Sequence, residues 1–262
     1  MAEKLIKEKV ANEQIAKMKK KYLTEKLQKE RKALICGCRE GNILFEIEDL
    51  FSKKGIDTAC IDIKNGPEED LTKMENVKKI VNETSPTDIL ILGQSDMELK
   101  WFENYSEKEI DHIIDTNLKS TVKVAKEWIN ATINNKNKKY IILIGSMAYN
   151  NVLNGSAPYC ISKAGIAMLA KTLAWELASK NYNVIAIHPS NTENSPMSEK
   201  TIKELMKFRN INRKQAEKYW SAVCPKGRFL KKIEIAELAY FFISGKCDFL
   251  SGANIELRGG QR

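Results

Sequence analysis

The sequence holds no run of 18 or more apolar residues, so nothing in it reads as a membrane-crossing helix. Its N-terminus, MAEKLIKEKV, lacks the apolar stretch that a secretory signal requires, and a cytosolic protein is expected. Histidine is scarce: His112 and His188 are the only two. The six cysteines (Cys36, Cys38, Cys60, Cys160, Cys224 and Cys247) include no Cys-x-x-Cys pair. This is a poor ligand set for zinc, so no metal is expected, and the thiols are read as reduced and packed. Repeats, low-complexity tracts and linkers are also missing.

With 262 residues, 43% of them hydrophobic and 29% charged, the chain is long enough to bury one sizeable core. The net charge of +9 would suggest a nucleic-acid partner if it covered one face. Residues 1–32, however, hold 11 Lys/Arg against 5 Glu, which leaves only +3 for the other 230 residues. This leader has no Pro or Gly and is rich in helix formers, so its composition predicts a helix over about 5–30. Ile15, Met18 and Tyr22 form one apolar line, and Leu23 and Leu27 continue a second. A solvated helix packing on its own domain or on a sister subunit is expected. A nucleic-acid or membrane-surface arm is the weaker alternative, because a clean apolar face is lacking and aromatics are missing apart from Tyr22. The internal boundary is drawn near residue 32, with 1–31 as the extension and 32–262 as the main domain.

From Lys32 onward short apolar runs alternate with longer amphipathic stretches. Strands are predicted at Ala33–Cys36, Thr58–Asp62, Asp88–Leu92, Tyr140–Gly145, Asn183–His188 and Asn254–Leu257, with helices near 41–54, 73–84, 107–135, 158–180, 198–220 and 233–244. Strict strand–helix alternation predicts an α/β fold, a doubly wound parallel sheet in three α/β/α layers.

The first strand runs into Cys36-Gly37-Cys38-Arg39-Glu40-Gly41-Asn42-Ile43 and then a helix. A glycine turn there lets the backbone approach a pyrophosphate, whose charge sits at the helix N-terminus. The second strand ends on Asp62, about 20 residues later, where a carboxylate can accept hydrogen bonds from the adenosine ribose hydroxyls. Asp62 and Glu40 would repel a 2′-phosphate, whereas Arg39 and Lys64 could attract one. The balance favours NAD over NADP.

Tyr159-Cys-Ile-Ser-Lys163 places a phenol and an ammonium at i and i+4, on one face of a helix. A nearby ammonium favours the phenolate and makes Tyr159 a usable acid/base. Ser146 lies thirteen positions earlier, at the end of an apolar strand. At this point the chain resembles the short-chain dehydrogenase/reductase family over nearly all of residues 32–262. The resemblance rests on Asn117, Ser146, Tyr159 and Lys163 occurring in order after a glycine turn. It implies a Rossmann-type fold and an NAD(P)-dependent oxidoreductase interconverting a secondary alcohol and a ketone. Tyr159 would exchange a proton with the substrate oxygen, and Ser146 would donate a hydrogen bond to it. Lys163 would lower the tyrosine pKa and hold the nicotinamide ribose, and Asn117 would hold a water in a proton relay. Asp88–Gly93 looks like the family's fourth strand, with Gly93 beside the adenosine. His188–Met197 looks like its cofactor loop, in which Pro189 fixes the turn and Thr192 or Ser195 meets the carboxamide. Leu250–Gly260 looks like its closing strand.

Several positions depart from the family pattern. Cys36 replaces the Thr and Ile43 the last Gly of Thr-Gly-x-x-x-Gly-x-Gly, Asn-Asn-Ala-Gly becomes Leu92-Gly93-Gln94-Ser95, and Ser190 replaces the Gly after Pro189. Only about 25 residues separate Asp62 from Asp88, so a stub third strand at Asp70–Thr72 is expected, with a truncated or missing helix before it. Ser195–Lys226 corresponds to the substrate lid. Its Met206, Phe208, Tyr219 and Trp220 are read as a packed face or as pocket lining, with Arg209 or Arg213 available to an anionic group. A 3-oxoacyl thioester reductase, a sugar or polyol dehydrogenase and a non-catalytic dinucleotide-binding sensor or assembly protein all stay open, and a homodimer or homotetramer is implied by the resemblance.

Overall fold

The protein was studied as a computed structural model, which describes residues 31–66, 69–222 and 224–260. The predicted leader helix lies outside the described residues. From residue 31 the chain runs β1 (Lys32–Cys36), α1 (Ile43–Lys53), β2 (Asp57–Ile61), α2 (Met74–Thr84), β3 (Ile89–Leu92), α3 (Glu107–Ile114), α4 (Ser120–Thr132), β4 (Lys139–Ile144), α5 (Ala157–Leu177), β5 (Tyr182–Pro189), α6 (Pro196–Arg209), α7 (Arg213–Ala222), α8 (Lys232–Ile243) and β6 (Asn254–Leu257). No helix of the described residues is long and apolar enough to cross a membrane.

The strands form one parallel sheet in the order β2-β1-β3-β4-β5-β6. Successive strand residues face opposite sides. Leu34, Cys36, Leu90, Leu92, Ile141 and Leu143 therefore pack with Val77 and Val81 of α2, Val124 and Trp128 of α4, and Ile166 and Ala170 of α5. Ala33, Ile35, Ile89, Ile91, Ile142 and Ile185 pack on the other side with Ile47 and Phe51 of α1 and Ile235 and Phe242 of α8. The order reverses beside β1, since β2 lies on one flank and β3 on the other, and a crevice opens at the carboxyl ends of the strands at such a reversal.

Three expectations are corrected. Asp70–Thr72 form no strand. There the Asp70 carboxylate accepts from the Thr72 N–H at 3.0 Å and from its hydroxyl at 2.7 Å, a side-chain turn that competes with sheet pairing. The helix before it is truncated as expected, to a 3₁₀ turn at Ile63–Asn65. The helix expected at 198–220 is two, because Asn210 takes a left-handed conformation (φ 52°) and ends α6. The long helix expected at 107–135 is interrupted by a π turn at Asp115–Lys119, which carries Asn117.

The altered glycine turn is accommodated without loss of packing. A Cβ on Gly93 would lie 2.8 Å from Leu44 Cδ1 and 3.2 Å from Ile144 Cβ. Gly93, just after β3, thus gives α1 the close approach that the glycine missing at Ile43 would otherwise permit, and Ile43, the first residue of α1, is half-buried.

Candidate active site

A cleft of about 800 Å³ opens over the carboxyl ends of β1, β3, β4 and β5. At one end lies the turn after β1. Gly37 has φ +87°, and a Cβ there would fall 2.6 Å from the Gln94 amide nitrogen, so only glycine lets the two turns pass. Asn42 ties this loop together: its Nδ2 donates to the Gly37 carbonyl at 2.7 Å, and its Oδ1 accepts from the Phe45 N–H at 2.9 Å as the N-cap of α1. The amides of Ile43 and Leu44, in the first turn, have no helical acceptor and are oriented for an anion. Lys232 braces the loop from behind, donating to the Gly41 carbonyl at 2.8 Å.

Asp62 follows β2 and lines the cleft with Glu69 and Asp70. Its Oδ1 accepts from the Lys64 N–H at 3.0 Å, and its own N–H donates to Glu69 at 2.6 Å. Arg39 joins this end, whereas Lys64 and Glu40 are exposed and outside the lining.

At the other end α5 carries Tyr159 and Lys163, both buried. Burial raises the Tyr159 pKa, against which the nearby Ser146 and Ser95 hydroxyls pull downward. Burial also lowers Lys163, to about 8. The Lys163 ammonium donates to the Ile144 carbonyl at 3.3 Å and sits 5.5 Å from the centre of the Tyr159 ring. The expected depression of the tyrosine pKa by Lys163 is therefore corrected: desolvation dominates at both groups and favours both neutral forms.

Ser146 follows β4 and is held from beneath by His188, a residue the sequence reading did not single out. Asn254 donates through Nδ2 to Ala167, so its Oδ1 accepts the His188 Nε2–H at 2.8 Å. Nδ1 lies 3.3 Å from the Ser146 nitrogen and 3.1 Å from the Ser146 carbonyl oxygen; with Nε2 donating to Asn254, Nδ1 accepts from the Ser146 N–H, a tautomer assigned from this network. Burial lowers the His188 pKa and keeps this neutral form. Gly145 is forced by the same arrangement, since a Cβ there would lie 2.3 Å from Nδ1.

Asn117 is buried, but its side chain does not line the cleft. Its Oδ1 accepts from the Asp96 N–H at 2.7 Å, and its Nδ2 donates to the Asp96 carbonyl at 2.9 Å and to Ser162 Oγ at 3.1 Å. The amide braces the loop after β3 through both of its N–H donors and one acceptor site of its oxygen. After Pro189, Thr192 and Ser195 are buried and linked, with Ser195 capping α6 through the Ser198 N–H at 3.1 Å.

Over the α5 end of the cleft lie α6 and α7. Met97, Leu99, Leu153, Leu205, Phe208 and Trp220 make an apolar wall. Lys200 donates to Asp96 at 2.5 Å, and His112 Nε2 lies 3.0 Å from the same carboxylate, so Asp96 ties α3 to α6. Arg209 lines the cleft, stacked over Tyr219 at 4.1 Å. Arg213 does not: it is paired with Glu199 and Glu217.

The cleft thus gathers Gly37, Arg39, Asn42, Ile43, Asp62, Gly93, Ser146, Tyr159, Lys163, Pro189, Thr192 and Ser195, and leaves Glu40, Gly41 and Asn117 behind its surface. Glu69, Gln94, Ser95, Asp96, Lys200 and His188 were missed. The departure Leu92-Gly93-Gln94-Ser95 from Asn-Asn-Ala-Gly was the one available signal, and it covered Gln94 and Ser95 alone.

A family model described as short chain dehydrogenase matches residues 26–205. The chain is 31% identical over 186 residues to the 3-oxoacyl-[acyl-carrier-protein] reductase FabG of Buchnera aphidicola, covering 71% of each protein. It is 28% identical over 250 residues to an NAD-dependent glycerol dehydrogenase of Listeria innocua, covering 88% of this chain and 93% of that protein. Among solved structures, NAD+-bound xylitol dehydrogenase superposes with a TM-score of 0.80 at 20% identity, covering 88% of this chain and 98% of that one, a likeness of fold.

The neutral His188 has a consequence for stability. Between the ordinary histidine pKa and its depressed folded value, the unfolded chain binds a proton that the folded chain does not. Stability therefore falls as the pH drops below about 6.5, the ordinary histidine value. In denaturant titrations from pH 7.5 to 5, His188→Gln is expected to flatten this slope; equal slopes in the two proteins would show that His188 is not held neutral.

Proposed function

This chain belongs to the short-chain dehydrogenase family, whose members are oxidoreductases, and we propose that it interconverts a secondary alcohol and a ketone using NAD. The observation that carries the reading is the convergence of Ser146, Tyr159 and Lys163 on one cleft that also holds a glycine turn and a strand-end carboxylate.

The residues present fit a dinucleotide. Gly37 and Gly93 leave room that a Cβ would fill, the first-turn amides of α1 suit a pyrophosphate, and Asp62 suits a ribose. Thr192, Ser195 and Lys163 line the same cleft; Thr192 or Ser195 would meet the carboxamide and Lys163 would hold the second ribose. When bound, the nicotinamide supplies or accepts the hydride. Glu69 and Asp70 add carboxylates beside Asp62, and this local negative charge opposes a 2′-phosphate more strongly than Arg39 attracts one.

In the reduction direction the Tyr159 hydroxyl gives its proton to the substrate oxygen, while Ser146 donates a hydrogen bond to that oxygen as charge grows on it. In oxidation the same groups work in reverse. The raised tyrosine pKa suits the acid role. The apolar wall of the lid favours a substrate with an apolar body over a free polyol, which fits a chain-like ketone of the kind named by the FabG relatives.

Self-association belongs to the same proposal. Ile161, Met168 and Trp175, at seven-residue spacing along α5, are 59%, 61% and 88% exposed, and Val122 of α4 is also exposed. A dimer formed through this face would cover them. Trp175→Glu is expected to shift a dimer or tetramer toward monomer in light scattering; a monomeric wild type would remove this part of the reading.

The chemical step is tested by Tyr159→Phe. This variant is expected to lower kcat for alcohol oxidation or ketone reduction by about 10²- to 10⁴-fold, the range for loss of a positioned proton donor, while dinucleotide affinity stays within about twofold. Unchanged turnover would exclude Tyr159 as the acid/base.

A further inference from the structure

We propose that Ser95 is a further catalytic residue: a second hydroxyl that, with Ser146, donates a hydrogen bond to the reacting oxygen of the substrate. The inference rests on the alcohol–ketone reading of the cleft given above. Where the family pattern has Gly, this chain has Ser95, and the residue belongs to the cleft lining together with Ser146 and Tyr159. Its Oγ is buried and has no hydrogen-bond partner. Together with Ser146 it pulls the Tyr159 pKa downward against burial.

A buried hydroxyl without a partner is costly, and such groups in folded proteins call for an explanation. Here the surroundings argue against a loose side chain that happens to point inward. Residues on both sides of Ser95 are fixed. Gln94 donates through Nε2 to Ser120 at 2.9 Å and to Thr121 at 3.2 Å on α4. Asp96 has both its main-chain N–H and its carbonyl gripped by the Asn117 side chain, at 2.7 and 2.9 Å, and its carboxylate held by Lys200 and His112.

The hydroxyl between these two anchors is therefore held in place in advance, the condition under which a donor stabilises developing charge without reorganising. An oxygen brought to Tyr159 for proton transfer would supply the acceptor that Ser95 lacks. The braced loop also gives the buried Asn117 a definite task, since it positions Ser95 through the Asp96 backbone. The proton balance of the reaction is unchanged: Tyr159 alone gives or takes the proton, and Ser95 donates a hydrogen bond and keeps its own.

The test compares wild type with Ser95→Gly, which restores the family residue, Ser95→Ala, and Ser95→Thr, which keeps a hydroxyl. With any alcohol or ketone that the wild type turns over, Gly and Ala are expected to lower kcat about 100-fold, the lower end of the cost of losing one preorganised donor, with KM and NADH affinity within about threefold. Thr is expected to recover most of the rate. Should turnover be too slow to resolve, trifluoroethanol titrated into the NAD complex and followed by ¹⁹F NMR reads the same contact, and Gly and Ala are expected to weaken it about tenfold. Unchanged kcat and trifluoroethanol affinity in Ser95→Gly and Ser95→Ala would overturn the proposal. Equal losses of kcat, NADH affinity and melting temperature would overturn it too, by showing a structural role. Failure of the underlying reading is seen in the wild type itself, as no binding of NAD or NADP, and would take the proposal with it; failure of the Ser95 inference alone leaves the wild type active.

Discussion

The cleft depends on how closely two turns can pass at the reversal of strand order. The chain leaving β1 and the chain leaving β3 meet where a Cβ on Gly37 would sit 2.6 Å from the Gln94 nitrogen. Any side chain at Gly37 would push the loop after β3 outward, and with it Gln94, Ser95 and Asp96. Gly93 imposes the matching limit from the other side, against Leu44 of α1. The proposed dinucleotide end and the catalytic end are thus consequences of one steric constraint, and the hydrogen bonds of Gln94 and Asn117 fix the loop once the constraint is met.

Electrostatics divides the cleft. At the β2 end Asp62, Glu69 and Asp70 concentrate negative charge near the glycine turn. At the α5 end burial drives Tyr159, Lys163 and His188 toward their neutral forms. A polar rim suited to hydroxyl groups and a drier interior suited to proton and hydride movement are therefore built by different strands of the same sheet, and the low polarity of the interior strengthens each hydrogen bond made there.

Much of this was legible in the sequence, because the signals were local. Apolar runs of four to six residues marked all six strands of the described sheet to within about two residues at each end, and the i, i+4 spacing of Tyr159 and Lys163 put both on one face of α5. What was hidden depended on contacts between residues distant in the chain. The Asp70 side-chain turn displaced the expected strand at Asp70–Thr72, and the left-handed Asn210 split one helix into two. The commitment of Asn117 to Asp96 and the support of Ser146 by His188, residues 21 and 42 positions apart, leave no local pattern. Burial of both partners likewise reversed the expected shift of Tyr159, a change that spacing alone does not reveal.

The central claim is that this cleft holds NAD, and a fluorescence titration of the purified protein with NADH and NADPH in parallel tests it most directly. The account predicts saturable binding of NADH at least about tenfold tighter than that of NADPH, a gap of roughly 1.4 kcal/mol, set by the carboxylates around Asp62. Preference for NADPH would contradict the assignment of NAD, and binding of neither would contradict the dinucleotide reading of the cleft.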